Sequence, residues 1–301
     1  MMTEDVEDVV RRLSFEHEGP AEIDIATAPG RIDVRLVDEP GVHVEVRHDP
    51  SGASPFAVGV SNLMSWINTQ FGTAGAEEQP ASPVAEAVRQ TRVDFTGGRL
   101  VVRTPKDIHL RNVPVAVSVQ APLGSHVTAK SGSGDLNVTG SAGQLELATG
   151  SGRVSADQAS ASAKVDTGSG VVRLGPMAAG VRAKTGSGDV EITAVGGVST
   201  VFTGSGDVWL GAVSNDVLAR TGSGSVTIAN ASAGQLELHT GSGAVRVGIR
   251  KGSPAEVDLS SGSGEARSDL DLSTTPPESA PPLRIRGRTG SGSALVTTAV
   301  E

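Results

Sequence analysis

Four residues, Thr/Ser-Gly-Ser-Gly, return nine times from residue 131 onward in this 301-residue chain. They begin at Ser131, Thr149, Thr167, Thr185, Thr203, Thr221, Thr240, Ser261 and Thr289, so five successive intervals are 18 residues and the last three are 19, 21 and 28. A fixed period of this length implies one supersecondary unit stacked on copies of itself.

Counted from the Thr/Ser as position 1, positions 6 and 8 are apolar in unit after unit: Leu136 and Val138, Val172 and Leu174, Val190 and Ile192, Val208 and Leu210. A second pair follows at positions 15 and 17, as in Leu145 and Leu147 or Val181 and Ala183, with polar Glu146, Lys164 and Arg182 between. Each unit therefore holds two short strands with one apolar side each. A lone unit cannot bury that side, whereas stacked units bury a continuous column. Glycine at positions 2 and 4 permits positive φ and close approach of neighbouring coils, and Ser at position 3 is a site for hydroxyl ladders or for bonding turn amides. In-register stacking at about 4.8 Å per coil sets Glu146 beside Lys164, Asp166 beside Lys184, and Arg173 beside Glu191.

The rest of the composition fits a thin core. There is no Cys or Tyr and aromatics are 2%, so Val, Leu, Ile and Ala must fill the interior. Without cysteine there is no disulfide framework, thiolate metal site or thiol nucleophile. The net charge of -9 is concentrated in residues 1–50, where thirteen acids face five Arg. That sign speaks against nucleic acid as a partner. The start is acidic where a signal peptide would be basic, and no run of 18 apolar residues follows. The expectation is a cytoplasmic chain without a membrane span.

Residues 3–13 read as a short helix, with Val6, Val9, Val10 and Leu13 on one face, suited to covering an end of the stack. From residue 21 to 48 the pattern alternates, and Thr27-Ala28-Pro29-Gly30 reads as a worn copy of the tetrad, followed by Ile32 and Val34. Residues 50–76 carry no charge. Within them Val60, Leu63, Met64, Ile67 and Phe71 share one helical face, and a polar, flexible stretch over 73–83 follows. A hairpin over 93–102 turns at Gly97-Gly98. Near the other end the eighth unit decays, a Pro-rich loop spans 273–282, and the last unit leaves an unpaired strand edge that calls for an end-to-end dimer or an internal cap.

Here a resemblance becomes specific. The Thr-Gly-Ser-Gly-Asp-Val-x-Leu units, the hairpin Gln90-Thr91-Arg92-Val93-Asp94-Phe95-Thr96-Gly97-Gly98-Arg99-Leu100 and the ending Leu283-Arg284-Ile285-Arg286-Gly287-Arg288-Thr289-Gly290-Ser291-Gly292 resemble β-strand-repeat proteins of actinobacteria. They form a domain family of unknown function labelled candidate adhesin. The likeness covers residues 20–50 and 90–301, and implies a β-solenoid with no established catalytic residues.

Four chemistries were weighed against plainer readings. Gly-Ser-Gly-Asp is similar to a calcium-binding nonapeptide, but Asp135, Asp189 and Asp207 stand one residue after the second Gly of the tetrad, where that motif wants two, so an outward Asp at a turn is the reading. No copy extends to a phosphate-binding Gly-x-Gly-x-x-Gly or Gly-Lys-Ser/Thr. The six His (His17, His43, His48, His109, His126, His239) are scattered, and His43 and His48 face opposite sides of an extended chain. A polysaccharide-cleaving β-helix with a carboxylate groove is the alternative function, and it wants clustered acids with aromatics for sugar stacking.

The expected fold is thus all-β: a β-solenoid (β-helix or β-roll) of 18-residue two-strand coils, with a short N-terminal helix and a helical insertion. Residues 1–20 form the cap, 21–130 a degenerate repeat region with the insertion at 51–90, and 131–301 the regular repeats, in one continuous domain. The expected function is a non-enzymatic scaffold or adhesin-like interaction module with no catalytic residue, cofactor or metal. Its candidate interaction surface is Leu63, Trp66, Ile67 and Phe71 of the insertion with Phe202 and Trp209, which parity points outward in adjacent coils together with Leu218. Partners are a second copy or another protein, through the insertion or the terminal edges, and carbohydrate is a weaker candidate.

Overall fold

The computed structural model describes residues 10–50, 83–270 and 281–299. The N-terminal part holds β1 (Arg11–Phe15), β2 (Glu22–Pro29), β3 (Ile32–Val37), β4 (Val42–His48), the helix α1 (Pro83–Gln90), β5 (Arg92–Thr96), β6 (Arg99–Arg103) and β7 (Val115–Pro122). The repeats begin with β8 (His126–Ser133), β9 (Leu136–Ala142), β10 (Leu145–Ser151), β11 (Val154–Ala159), β12 (Ala163–Ser169) and β13 (Val172–Met177). They continue as β14 (Val181–Ser187), β15 (Val190–Val195), β16 (Ser199–Ser205), β17 (Val208–Val213), β18 (Val217–Ser223), β19 (Val226–Ala231), β20 (Gly234–Ser242) and β21 (Val245–Ile249). The chain closes with β22 (Ala255–Ser261), β23 (Ala266–Ser268), β24 (Leu283–Thr289) and β25 (Ala294–Thr298).

These strands form two sheets, of 13 and 12 strands, in a repeat-like, solenoid-like architecture with one helix among the described residues. Consecutive repeat strands alternate between the sheets, so one turn of chain adds a strand to each. Parallel neighbours are in register at the repeat period: Thr149 lies beside Thr167, and Val154 beside Val172. Alternation fixes which side is inside, since Leu145 and Leu147 of β10 are buried and Glu146 between them is not. The facing rows make one apolar layer running the length of the stack, with Leu136, Leu147, Ile192, Leu210 and Ile228 almost wholly enclosed. Ser199 stands where other coils have an apolar residue; its Oγ accepts from Val181 N at 2.9 Å and donates to Gly197 O at 2.9 Å.

Each tetrad is a corner joining the 12-strand sheet to the 13-strand sheet. Its Thr points inward and is buried; Thr240 Oγ1 lies 2.7 Å from Gly224 O of the preceding coil, and Thr221 Oγ1 lies 3.0 Å from Gly206 O. The hydroxyl ladder therefore belongs to position 1, and the Ser at position 3, expected either to form it or to bond turn amides, is exposed in all nine copies. The two glycines also differ. Gly170 at position 4 has φ +148, and a Cβ there would sit 1.9 Å from Gly152 O; Gly168 at position 2 lacks the positive φ, and close approach of Gly150 O alone excludes a side chain.

Strand order departs from chain order at both ends. The coil β2–β3 sits between β6–β7 and β8–β9, and β24–β25 sits between β20–β21 and β22–β23. Among the described residues the unpaired C-terminal edge is thus the decayed eighth unit, and the last unit is interior. The physical reason is in the side chains. The outer positions of β24 are Arg284, Arg286 and Arg288, which lie beside Gln235, Glu237 and His239 on one side and Glu256, Asp258 and Ser260 on the other. Sequential order would set Glu237 next to Asp258, whereas intercalation puts an arginine between them.

At the N-terminal end β1 and β4 run antiparallel on the larger sheet and β5 runs antiparallel on the smaller. Phe15 stacks on Phe95 at 5.0 Å, with the His17 ring edge-on to Phe95. Helix α1 packs Ala85, Ala87 and Val88 into this end, with Pro83 at its start, Glu86 in the first turn and Arg89 in the last. Residues 11–13, expected to end a helix, instead form part of β1: Leu13 and Phe15 alternate with Arg12 and Ser14, and pairing with β4 outweighs a helical face. Residues 1–9 and the expected helix over 60–71 lie outside the described residues.

Candidate interaction surfaces

The repeated polar groups are spent on stacking. Asp135, Asp189 and Asp207, the residues nearest to a calcium motif, each accept from a backbone amide of the next coil: Arg153 N at 2.8 Å, Asp207 N at 2.9 Å and Ser225 N at 2.7 Å. Asp216 does the same for Gln235 N, and Asp157 accepts from Gly140 N of the preceding coil. Among the described residues no three His, Asp or Glu side chains converge as metal ligands. No helix among them is long and apolar enough to cross a membrane.

Outward ladders follow the register. Glu146 sits between Lys130 at 3.2 Å and Lys164 at 3.4 Å, and Arg173 pairs with Glu191 at 3.3 Å. Lys130's hydrogen bond is the main reason the Glu146 carboxyl lies below its ordinary value, with Lys164 adding to it against a small burial penalty. Asp166 lies beside Lys184 in register but bonds Lys164 of its own strand at 3.6 Å.

A concave region of about 720 Å³ lies on the outer face of the larger sheet, where β1, β4, β7, β3 and β9 meet. The register lines up Ser14, His43, Gln120, Arg35 and Thr139 in one row and Arg12, Glu45, Ser118, Asp33 and Asn137 in the next. Some of its polar groups are paired internally: Arg12 Nε donates to Glu45 Oε2 at 2.9 Å, and His43 Nδ1 is 3.0 Å from Ser14 Oγ.

Of the predicted surface residues, Leu63, Trp66, Ile67 and Phe71 lie outside the described residues. Phe202 and Trp209 both point outward, but from different sheets: Phe202 is on β16 of the 12-strand sheet and Trp209 on β17 of the 13-strand sheet. They face opposite sides of the stack and do not form one patch. The tetrad corner at Thr203-Gly204-Ser205-Gly206 separates them, which is the signal that parity counting missed. Trp209, 38% exposed, lies between Glu191 and Thr227 and beside Gly211. Phe202 is half-buried between Lys184 and Arg220, and Leu218 shares its sheet. Sequence reading did not single out Ile108 and Val198, the most exposed large apolar side chains described.

No curated protein matches the chain. Among solved structures it is similar to a candidate adhesin from Bacteroides fragilis NCTC 9343 (9% identity, 96% of this chain and 97% of that one, TM-score 0.38). It is similar also to a candidate adhesin from Parabacteroides distasonis ATCC 8503 (9%, 97% and 98%, TM-score 0.35) and to a candidate lipid-binding protein of the same organism (10%, 97% and 95%, TM-score 0.27). At those scores the likenesses carry no argument about this chain. A family model does: the one described as Toastrack DUF4097 matches residues 100–281, from within β6 to beyond β23. With more than half of its length matched, the chain belongs to the Toastrack DUF4097 family.

Proposed function

We propose that the protein is a non-enzymatic, adhesin-like interaction module whose stack serves as a rigid ruler for outward side chains. One observation carries this reading. Much of the repeated chemistry is consumed in coil-to-coil bonding, seven of the nine position-1 hydroxyls on glycine carbonyls of a neighbouring coil and the Asp carboxylates of three corners on backbone amides. What varies from coil to coil is the outward row, set at strand spacing on two flat faces. Phe202 and Trp209 then belong to two separate contact faces. The insertion, with Leu63, Trp66, Ile67 and Phe71, is a further surface for a second copy or a protein partner.

The test is retention of protein-coated beads on surfaces bearing neutral glycans, acidic glycans or protein, with heat-denatured protein as the control. Retention on at least one surface, with no release of reducing ends from the glycans, supports the reading. Failure on every surface, or sugar cleavage by the purified chain, overturns it.

A further inference from the structure

One outward row of the 12-strand sheet differs from every other. Across β14, β16, β18, β20 and β24, five adjacent strands, it reads Lys184, Phe202, Arg220, His239 and Arg288. At one strand per step this is roughly 19 Å of surface with cationic groups and one aromatic ring, bounded by Asp166 on β12 and Ser260 on β22. Elsewhere on this sheet most outward cations have an acid partner, as Lys130 and Lys164 have in Glu146, Arg284 in Glu256 and Arg286 in Asp258, with Arg182 beside Lys164 as an exception. No ion pair is made by Lys184, Arg220 or Arg288 among the described residues. The next outward position along each of these strands is an exposed glycine (Gly186, Gly204, Gly222, Gly241, Gly290), so no side chain screens the row from that flank.

Lys184, Arg220 and Arg288 stand on alternate strands, about 10 Å apart, with no acid between them, and nothing in the packing requires that arrangement. The field is felt within the row: burial, then the Arg220 and Arg288 charges, hold the His239 imidazolium below its ordinary value. Three cations without an ion-pair partner, aligned with an aromatic ring over five strands, mark a binding face.

We propose that this row is the docking track for a linear acidic polysaccharide, its carboxylates met by Lys184, Arg220 and Arg288 and a sugar ring laid on Phe202. The proposal rests on the interaction-module reading above and names its partner class. Geometry favours a single extended chain over a flat anionic membrane, because the parallel row beside it carries Glu237 and Asp258 among its cations and a plane would meet both signs. The net charge of -9 favours sparse carboxylates over the dense phosphates of nucleic acid.

The test is titration of the full chain with fluorescein-labelled polygalacturonate at low and physiological salt. Single-stranded DNA and anionic phospholipid vesicles are the other arms. Wild type is expected to bind polygalacturonate more tightly than either, and to weaken with salt. Lys184→Glu with Arg220→Glu is expected to bind about tenfold less tightly or worse. Arg246→Glu, on the other sheet, is expected to match wild type. Arg220→Glu alone is expected to keep or raise the melting temperature while weakening binding, which separates a binding role from a structural one. Absence of polygalacturonate binding, unchanged binding in the double variant, or tighter binding of DNA or vesicles through the same residues overturns the proposal. Retention on neutral-glycan or protein surfaces alongside such a failure would leave the interaction-module reading standing, whereas failure on every surface removes both.

Discussion

At the N-terminal end the coil β2–β3 lies inside β6–β7, and at the C-terminal end β24–β25 lies inside β22–β23, so both ends hold a coil inserted out of chain order. They are finished in opposite ways. The N-terminal end is covered: antiparallel β1, β4 and β5 close both sheets, Phe15 and Phe95 stack across, and α1 seats Ala87 and Val88 over the core. The C-terminal end is thinned: β22 is only half-buried on its inner side, β23 is three exposed residues, and Glu256 and Asp258 line the edge. A stack can thus end by burying its last apolar layer or by withdrawing it, and charge on the final strand guards the second solution against pairing with other chains.

The largest effects should come from removing the inserted C-terminal coil. A chain ending at residue 270 loses buried Leu283, Ile285, Ala294 and Val296 and uncovers Leu236, Leu238, Val245 and Val247 beneath them. We expect a loss of roughly 5 kcal/mol or more in urea unfolding, with aggregation. Removing residues 1–20 uncovers less, since Leu13 and Phe15 are only partly buried, and should cost about 2 kcal/mol. Equal losses would mean that the two ends are not finished differently. On the scale of one side chain, Leu100→Ala at the covered end should cost about 3 kcal/mol and Leu259→Ala at the thinned end about 1 kcal/mol.

The middle of this molecule is legible in its sequence because in-register parallel stacking makes the period and the coil the same number. Thr149 beside Thr167 and Glu146 beside Lys164 follow from counting alone. Strand order at the ends is different, because it depends on which distant strand completes a charge pattern. The signals were present: the 28-residue last interval, the acidic alternation of residues 256–258 and the arginine alternation of 284–288. Helix α1 closes the helical insertion expected over 51–90, just after the stretch expected to be flexible over 73–83, and Val84, Ala85, Ala87 and Val88 sit at helical spacing after Pro83. Residues 11–13 depart from expectation, where a helical count over 6–13 competes with a two-residue alternation that only pairing with β4 can decide. For the candidate surface, parity found that Phe202 and Trp209 face outward but not which sheet carries each, because the corner between them resets the count.

The intercalation argument itself can be broken at Arg286. Arg286→Glu places an acid between Glu237 and Asp258, and should cost roughly 1 kcal/mol, limited by exposure. Asp258→Lys in the same chain should recover part of that loss, and a double-mutant cycle by urea unfolding measures the coupling. Additive effects would show that charge does not select this strand order.

The smallest effect is the acid sensitivity of the covered end. Asp24 on β2 faces two arginines of β6; Arg103 Nη2 donates to its Oδ2 at 2.6 Å and Arg99 Nη2 at 3.2 Å. Partial burial, the largest single influence, pushes the carboxyl upward, and the bonds and charges of Arg103 and Arg99 together outweigh it, leaving it below its ordinary value of 3.8. A carboxyl depressed by folding adds stability that is whole above its unfolded value and is lost as pH falls through the folded one. Between pH 5 and 3 the melting temperature of the wild type should therefore fall more steeply than that of Asp24→Asn, which starts lower at neutral pH because Arg99 and Arg103 have lost their carboxylate. Parallel curves for the two proteins would mean that this pair, though it closes the covered end geometrically, contributes nothing to holding it shut.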